Sequence, residues 1–273
     1  MDDLPSNEYN LKTLTPEEEE RLRLQDTRLV SDFKALQLEK DAKKHWDLFY
    51  KRNETRFFKD RHWTTREFCD LLDIDENPEA SRILWEVGCG VGNFVFPLIE
   101  AKLNFEYIVC DLSSKAIELV KQHGLYDEKY IKALQGDITD PEIVDKITSY
   151  SKVDVATLIF VLSAVHPDKF VTALKNIYEC LKPGGVLLFR DYGLHDMAQL
   201  RFKAGHKIAE NFYMRQDGTR SYYYSVEYVN NIMEEAGFKV VLCSYIHRRT
   251  INKKENIDVP RIFVQGKFQK ENS

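Results

Sequence analysis

The chain has 273 residues, 43% apolar and 12% aromatic, enough for a sizeable core in one large α/β domain or two small ones. A net charge of −5 excludes binding to nucleic acid through overall charge alone, while leaving local basic clusters open. The five cysteines (Cys69, Cys89, Cys110, Cys180 and Cys243) show no C-x-x-C pair, which argues against a disulfide frame or a zinc site and for the reduced thiols of a cytoplasmic or nuclear protein.

The polar, acidic N-terminus reads neither as a signal peptide nor as a transit peptide, and no apolar run is long enough to span a bilayer. Residues 1–14 read as a flexible arm. Thr15-Pro16-Glu17-Glu18 is a helix start, with Thr15 as cap, Pro16 in the first turn and Glu18 closing a capping box. Leu22, Leu29, Phe33 and Leu36 then recur at helical spacing, which predicts a face packed on the main domain. Trp46, Phe49 and Tyr50 share the next helix face. Phe57, Phe58, Arg61, His62 and Trp63 follow, mixing rings that can stack bases with cations that can neutralise phosphates. Ordinary core packing with a solvated basic rim is the alternative. Thr64 to Glu67 suggests a second capping box opening a helix to Leu72, and residues 73–81 a loop. Residues 15–80 are therefore expected to form an N-terminal helical extension of a main domain over 81–273.

That domain is organised by Ile83-Leu84-Trp85-Glu86-Val87-Gly88-Cys89-Gly90-Val91-Gly92-Asn93, a buried strand that enters a helix through alternate glycines. Such a turn exposes backbone N–H groups and lets a ligand approach closely. A dinucleotide fingerprint would have its third glycine where this chain has Asn93. A second strand, 105–110, ends at Asp111, where a carboxylate can accept both ribose hydroxyls of a nucleoside cofactor or cap the following helix. A third, 130–135, closes on Gly136-Asp137-Ile138, where Asp137 can reach an adenine amino group with Ile138 against the ring. The fourth, 153–162, is almost wholly apolar, as in the centre of a parallel sheet, and its C-terminal end, from Ile159 to Val165, should face the cofactor. His166 reads as a capping residue. The fifth strand, 186–189, delivers Arg190, Asp191 and Tyr192 to the carboxyl edge of the sheet, where open α/β folds bind ligands. Residues from about 194 to 224, with Arg215 and Arg220, read as an inserted cap, part helix and part loop. A helix capped by Ser225 and an antiparallel pair, 239–250 with 261–268, complete the chain.

The motif E-x-G-x-G-x-G resembles the first motif of class I S-adenosylmethionine (SAM)-dependent methyltransferases. The segments W-D-L-F-Y-K-R-N, F-F-K-D-R-H-W-T-T-R-E-F, E-V-G-C-G-V-G-N, I-F-V-L-S-A-V-H-P, F-R-D-Y-G and R-Q-D-G-T-R-S-Y together resemble the eukaryotic tRNA N3-methylcytidine methyltransferases, from residue 17 to 268. The resemblance implies a Rossmann-like seven-stranded sheet and methylation of cytosine N3 at position 32 of the anticodon loop. The short N-terminus is most similar to the subgroup that acts on serine tRNA with seryl-tRNA synthetase as helper. Cofactor contacts implied by the match are Trp46, Tyr50, Gly88, Gly90, Asp111, Asp137 and Ile159.

For this chemistry the target base must be unstacked into a pocket. Phe57, Phe58, Trp63 and Tyr192 are the candidate walls, and Arg61, Arg190, Arg215 and Arg220, with His62 nearby, the candidate RNA contacts. Asp191 is the candidate catalytic carboxylate, placed to steady the cationic product. No metal is expected, and the chain is expected to act as a monomer. Two other classes remain: a class I methyltransferase acting on a protein or small molecule, and a non-catalytic adaptor that binds RNA or a synthetase.

Overall fold

A computed structural model describes residues 10–68, 71, 82–252 and 257–272. Five strands, β1 (Arg82–Val87), β2 (Phe105–Asp111), β3 (Ile131–Gln135), β4 (Val153–Ile159) and β5 (Leu181–Tyr192), pair in parallel. The cap supplies α9 (Met197–Leu200) and three short strands, β6 (Lys207–Ala209), β7 (Phe212–Met214) and β8 (Arg220–Tyr222), which make their own antiparallel sheet. Then β9 (Lys239–Asn252) and β10 (Ile257–Gln269) add an antiparallel edge to the main sheet, whose order is β3-β2-β1-β4-β5-β10-β9. The strand order reverses between β1 and β4, which sets a crevice at their carboxyl ends.

The alternation of β1 divides the core. Trp85 and Val87 enter the cluster on one face of the sheet and Leu84 the cluster on the other. Trp85 is fully buried and its indole N–H donates to the Cys110 sulfur at 3.3 Å. Helices α5 (Val95–Glu100), α6 (Ser114–Lys121), α7 (Glu142–Thr148), α8 (Phe170–Cys180) and α10 (Val226–Glu235) cover the sheet. Ser113 caps α6 and Ser225 caps α10, each accepting a backbone N–H of the first turn. His166 caps the short turn before α8, as expected, with its Nδ1 accepting from Asp168 N. The sequence reading had no helix at α7.

The N-terminal extension holds α1 (Pro16–Asp26), α2 (Asp32–Lys40), α3 (Ala42–Asn53) and the single turn α4 (Thr64–Glu67). The Thr15–Glu18 capping box forms. The predicted apolar face does not pack. Leu29, Phe33 and Leu36 are 51%, 80% and 63% exposed, because the chain breaks after α1 and Ser31 recaps it, shifting the helical phase so that Val30 and Leu38 turn inward. The buried Gln25 docks α1 on the cap, donating to Gln199 O at 2.9 Å and Phe202 O at 3.1 Å. Residues 10–14 are not a free arm: the His195 ring lies 2.9 Å from Lys12 O, and Lys12 pairs with Glu18. Residues 1–9 and the expected end of the next helix at Leu72, with most of its following loop, lie outside the described residues. The second capping box fails for an electrostatic reason. Thr64 Oγ1 donates to Arg61 O, and the Glu67 carboxylate instead takes Arg190 at 3.3 Å and Arg248 at 2.9 Å.

Besides the short helix α9, the cap holds a small β-sheet where helix and loop alone were expected, because its three-residue strands are too short to show a period of two. Its anchor is Asp196, fully buried, which accepts from Ala198 N (2.8 Å), Ile262 N (2.8 Å) and Arg261 Nε (2.9 Å). Removing that carboxylate strands one guanidinium and two backbone donors. Asp196→Ala should lower the unfolding free energy by about 3 kcal/mol in urea titration, against under about 0.5 kcal/mol for an exposed control such as Glu227→Ala.

Candidate active site

The three glycines after β1 take positive φ, +63° at Gly88, +56° at Gly90 and +89° at Gly92. At Gly90 a Cβ would also stand 2.9 Å from the Tyr50 hydroxyl. Asp111, at the end of β2, pins this turn: its carboxylate accepts Gly90 N at 2.9 Å and Ser113 N at 2.8 Å. Burial pushes its pKa up to about 6 despite these two bonds. It is therefore a turn clasp as well as a candidate ribose acceptor, while the helix cap proper is Ser113.

A cleft of about 210 Å³ opens beside the turn, lined by Trp46, Tyr50, Gly88, Asp111, Asp137 and Ile138 among others. Six of the expected cofactor residues thus meet in one space, although three come from separate strand ends and α3 is remote in sequence. Asp137 is shaped by accepting Thr139 N and Oγ1, both at 2.8 Å. Ile159, expected as a cofactor contact, is buried and does not line the cleft; its carbonyl accepts from Arg61. Helix α3 roofs the cleft and is latched on both sides. Asp47 accepts Ser113 Oγ at 2.6 Å, and Glu39, at the end of α2, pairs with Lys169 and Arg220. Burial raises the Glu39 pKa, but the two cations outweigh it and hold the carboxyl below its ordinary value.

A second, smaller cavity adjoins the first, sharing Trp46, Tyr50, Gly88, Phe160, Ala164 and Arg220 with it. Phe58, Arg61, Asn93, Tyr192 and Arg215 also line it, as does Gly90, the expected cofactor residue that does not line the first cleft. Asn93, where a dinucleotide fingerprint has glycine, gives the site its far side. Its carbonyl accepts Arg61 N at 2.7 Å, and its amide donates to Asp60 at 2.9 Å. Arg61 donates to Ile159 O at 3.2 Å and lies 5.6 Å from the Phe160 ring centroid. The Arg215 guanidinium sits 5.3 Å over the Tyr192 ring.

Several expected contacts are placed elsewhere. Arg190 is buried, sandwiched between Trp63 (4.3 Å) and Phe263 (4.9 Å), and paired with Glu67, so neither Arg190 nor Trp63 faces the cavity. Arg220 is committed to Glu39 and Ala164 O and works as wall, not as a phosphate contact. Phe57 is largely exposed and packs edge-on against Phe49, and His62 is exposed outside both cavities. Asp191 is fully buried and lines neither cavity. Its oxygens accept Ser163 N and Tyr192 N, both at 2.9 Å, which makes it a positioning group for the loop after β4. Burial pushes its pKa up to about 6.

One residue near the site, Glu86, has no role assigned from the sequence. Glu86 is buried and pushed up to about 8 by burial, and its Oε2 has no hydrogen-bond partner among the described residues. The E-x-G-x-G-x-G motif already contained it. Phe160, at φ +58°, is a non-glycine residue held in the left-handed region at the junction of the two cavities. It lies in the 159–165 stretch expected to face the cofactor, but no sequence pattern marks its left-handed backbone.

Comparison with known proteins decides the family. The methyltransferase domain family matches residues 60–242. The tRNA N(3)-cytidine methyltransferase METTL6 of Mus musculus is 53% identical over 95% of this chain and 91% of its own. The tRNA N(3)-methylcytidine methyltransferase trm141 of Schizosaccharomyces pombe is 41% identical over 88% and 97%. The chain belongs to the tRNA N3-cytidine methyltransferase family. A SAM-dependent methyltransferase from Anabaena variabilis shares the fold with a TM-score of 0.60, at 13% identity over 84% of this chain and 94% of its own.

Family members take their methyl group from SAM, and the residues present fit it. Gly88, Asp111 and Asp137 line the cleft, the glycine baring backbone to it and the two carboxylates offering acceptors. Ribose hydroxyls donate to the ionised form of Asp111, so protons compete with the cofactor. SAM affinity measured by calorimetry should fall about tenfold per pH unit below about 6, and Asp111→Asn should bind weakly at pH 8 without that decline.

Proposed function

We infer that this chain methylates N3 of cytosine 32 in the anticodon loop of serine tRNA, as a monomer in the cytoplasm and nucleus, with seryl-tRNA synthetase concentrating the substrate. The reading is carried by the pocket that adjoins the cofactor cleft: aromatic faces from Phe58, Phe160 and Tyr192 with Arg61 and Arg215 between them. Aromatic faces stack an unstacked base, and guanidiniums can meet its carbonyl or the neighbouring phosphates. The relatives named above carry tRNA N3-cytidine methylation in their names.

Bound SAM supplies a methyl group on a sulfonium, held where Gly88, Asp111, Asp137 and Trp46 converge. Neutral cytosine already carries a lone pair on N3, so the chain needs no general base. Its task is alignment and exclusion of water. Asp191 keeps Ser163 and Tyr192 in place, and Phe160, held at φ +58°, stands where the base must meet the donor. The methylated base is cationic, and the ring faces of Phe58 and Tyr192 attract it. Arg61 and Arg215 repel it, which favours release. Weak affinity for tRNA alone follows from the net charge of −5 and accounts for the need of a tRNA-binding helper.

The test is transfer from labelled SAM to total tRNA, with and without seryl-tRNA synthetase, followed by nucleoside mapping. The expected product is N3-methylcytidine in serine tRNA, increased by the synthetase. Label confined to protein or small molecules would overturn the substrate. Phe58→Ala should lower kcat/KM for tRNA by about ten- to a hundredfold through lost stacking, with SAM affinity within about twofold of the parent in calorimetry.

A further inference from the structure

We propose that a third cavity, between α2, α3 and the turn joining β7 to β8, holds the base of a nucleotide flanking the target cytosine and reads it by stacking. It encloses about 590 Å³ and is lined by Phe33, Leu38, His45, Met214, Arg215 and Gly218, among others. The proposal rests on the RNA reading above and adds a subsite to it.

Continuity is the first argument. Arg215 lines both this cavity and the transfer pocket, so one side chain separates the two spaces. Of the neighbours on α3, His45 lines this cavity and Trp46 the transfer pocket and the cofactor cleft. An RNA whose target base is turned into the inner pocket must continue past that wall. Its flanking base has then lost a stacking neighbour. A cavity one side chain away meets that requirement.

The chemistry of the lining is the second. Phe33 is 80% exposed on a helix whose other face packs normally, so folding gives no reason for an aromatic ring there. The His45 Nδ1 is buried without a hydrogen-bond partner among the described residues. Lys34 and Arg215 in the lining are balanced by Asp41 and Asp217, so charge does not decide what binds there. The Gln37 amide is already spent on Asp41 at 2.7 Å. Ring and thioether surface therefore dominate over hydrogen-bonding groups, which selects for stacking area and not for base identity. A purine should be preferred to a pyrimidine.

The experiment uses the full chain, SAM and full-length serine tRNA transcripts that carry the target cytosine, each assayed with and without seryl-tRNA synthetase. One transcript is intact, and two have an abasic site immediately 5′ or 3′ of the target. Phe33→Ala truncates an exposed ring and leaves the fold standing. Its KM for intact RNA should rise about tenfold, with SAM affinity unchanged. One of the two abasic transcripts should lower wild-type kcat/KM by the same factor, and on that transcript Phe33→Ala should lose nothing further. At that position adenine or guanine should outperform uracil. Unchanged RNA kinetics of Phe33→Ala, or losses that add fully on both abasic transcripts, would overturn the assignment. So would a defect seen only in stimulation by the synthetase, which would give this face to a protein. Failure of the wild type to methylate any transcript would instead remove the RNA reading, and the subsite with it.

Discussion

The hydrogen bond from Gly90 N to the Asp111 carboxylate is the constraint on which the site depends. It joins the turn after β1 to the end of β2 at 2.9 Å, and it holds three glycines in conformations that side chains rarely adopt. With the turn held, Gly88 lines the cleft and Gly90 the adjoining cavity, and Tyr50 can reach down from α3 onto Gly90. The cost is a carboxylate buried deeply enough that its pKa rises to about 6. The structure accepts a partly destabilised acid where a ligand with ribose hydroxyls can use it.

The second principle is that cations close to the site are divided between holding walls and facing substrate. Arg190 and Arg220 are buried, and each has a carboxylate partner, Glu67 and Glu39. A buried guanidinium without such a partner would be expensive, so these two are consumed by structure. Arg61 and Arg215 instead lie along aromatic faces in the pocket wall, where a stacked base or phosphate can meet them. Asp191 follows the same logic in reverse. Two backbone N–H groups claim its oxygens, so it shapes the loop after β4 from behind.

The N-terminal extension completes the site from outside the sheet. Helix α3 brings Trp46 and Tyr50 over the cleft, held by Asp47 on the start of α6 and by the Glu39 pairs on the far side. The cap contributes Arg215 and Arg220 from a small sheet anchored by Asp196. Both regions are insertions or additions relative to the sheet, and between them they form the walls that a generic methyl-donor cleft would lack.

The sequence by itself determined the sheet, the glycine turn, the helix caps at Thr15, His166 and Ser225, and the acidic strand ends at Asp111 and Asp137. These are local signals: a period of two or its absence, a glycine, a capping side chain, each written within a few residues. Tertiary structure alone decided which cations are spent, which apolar faces stay open and where Asp191 points. Arg190 and Arg61 look equally available in sequence. One meets Glu67 across 123 positions and the other meets Ile159 O across 98. Leu29, Phe33 and Leu36 had the spacing of a buried face, and a break of a few residues between two helices turned them to solvent. Pairing and phase across such distances are set by how elements pack, and no local pattern carries that information.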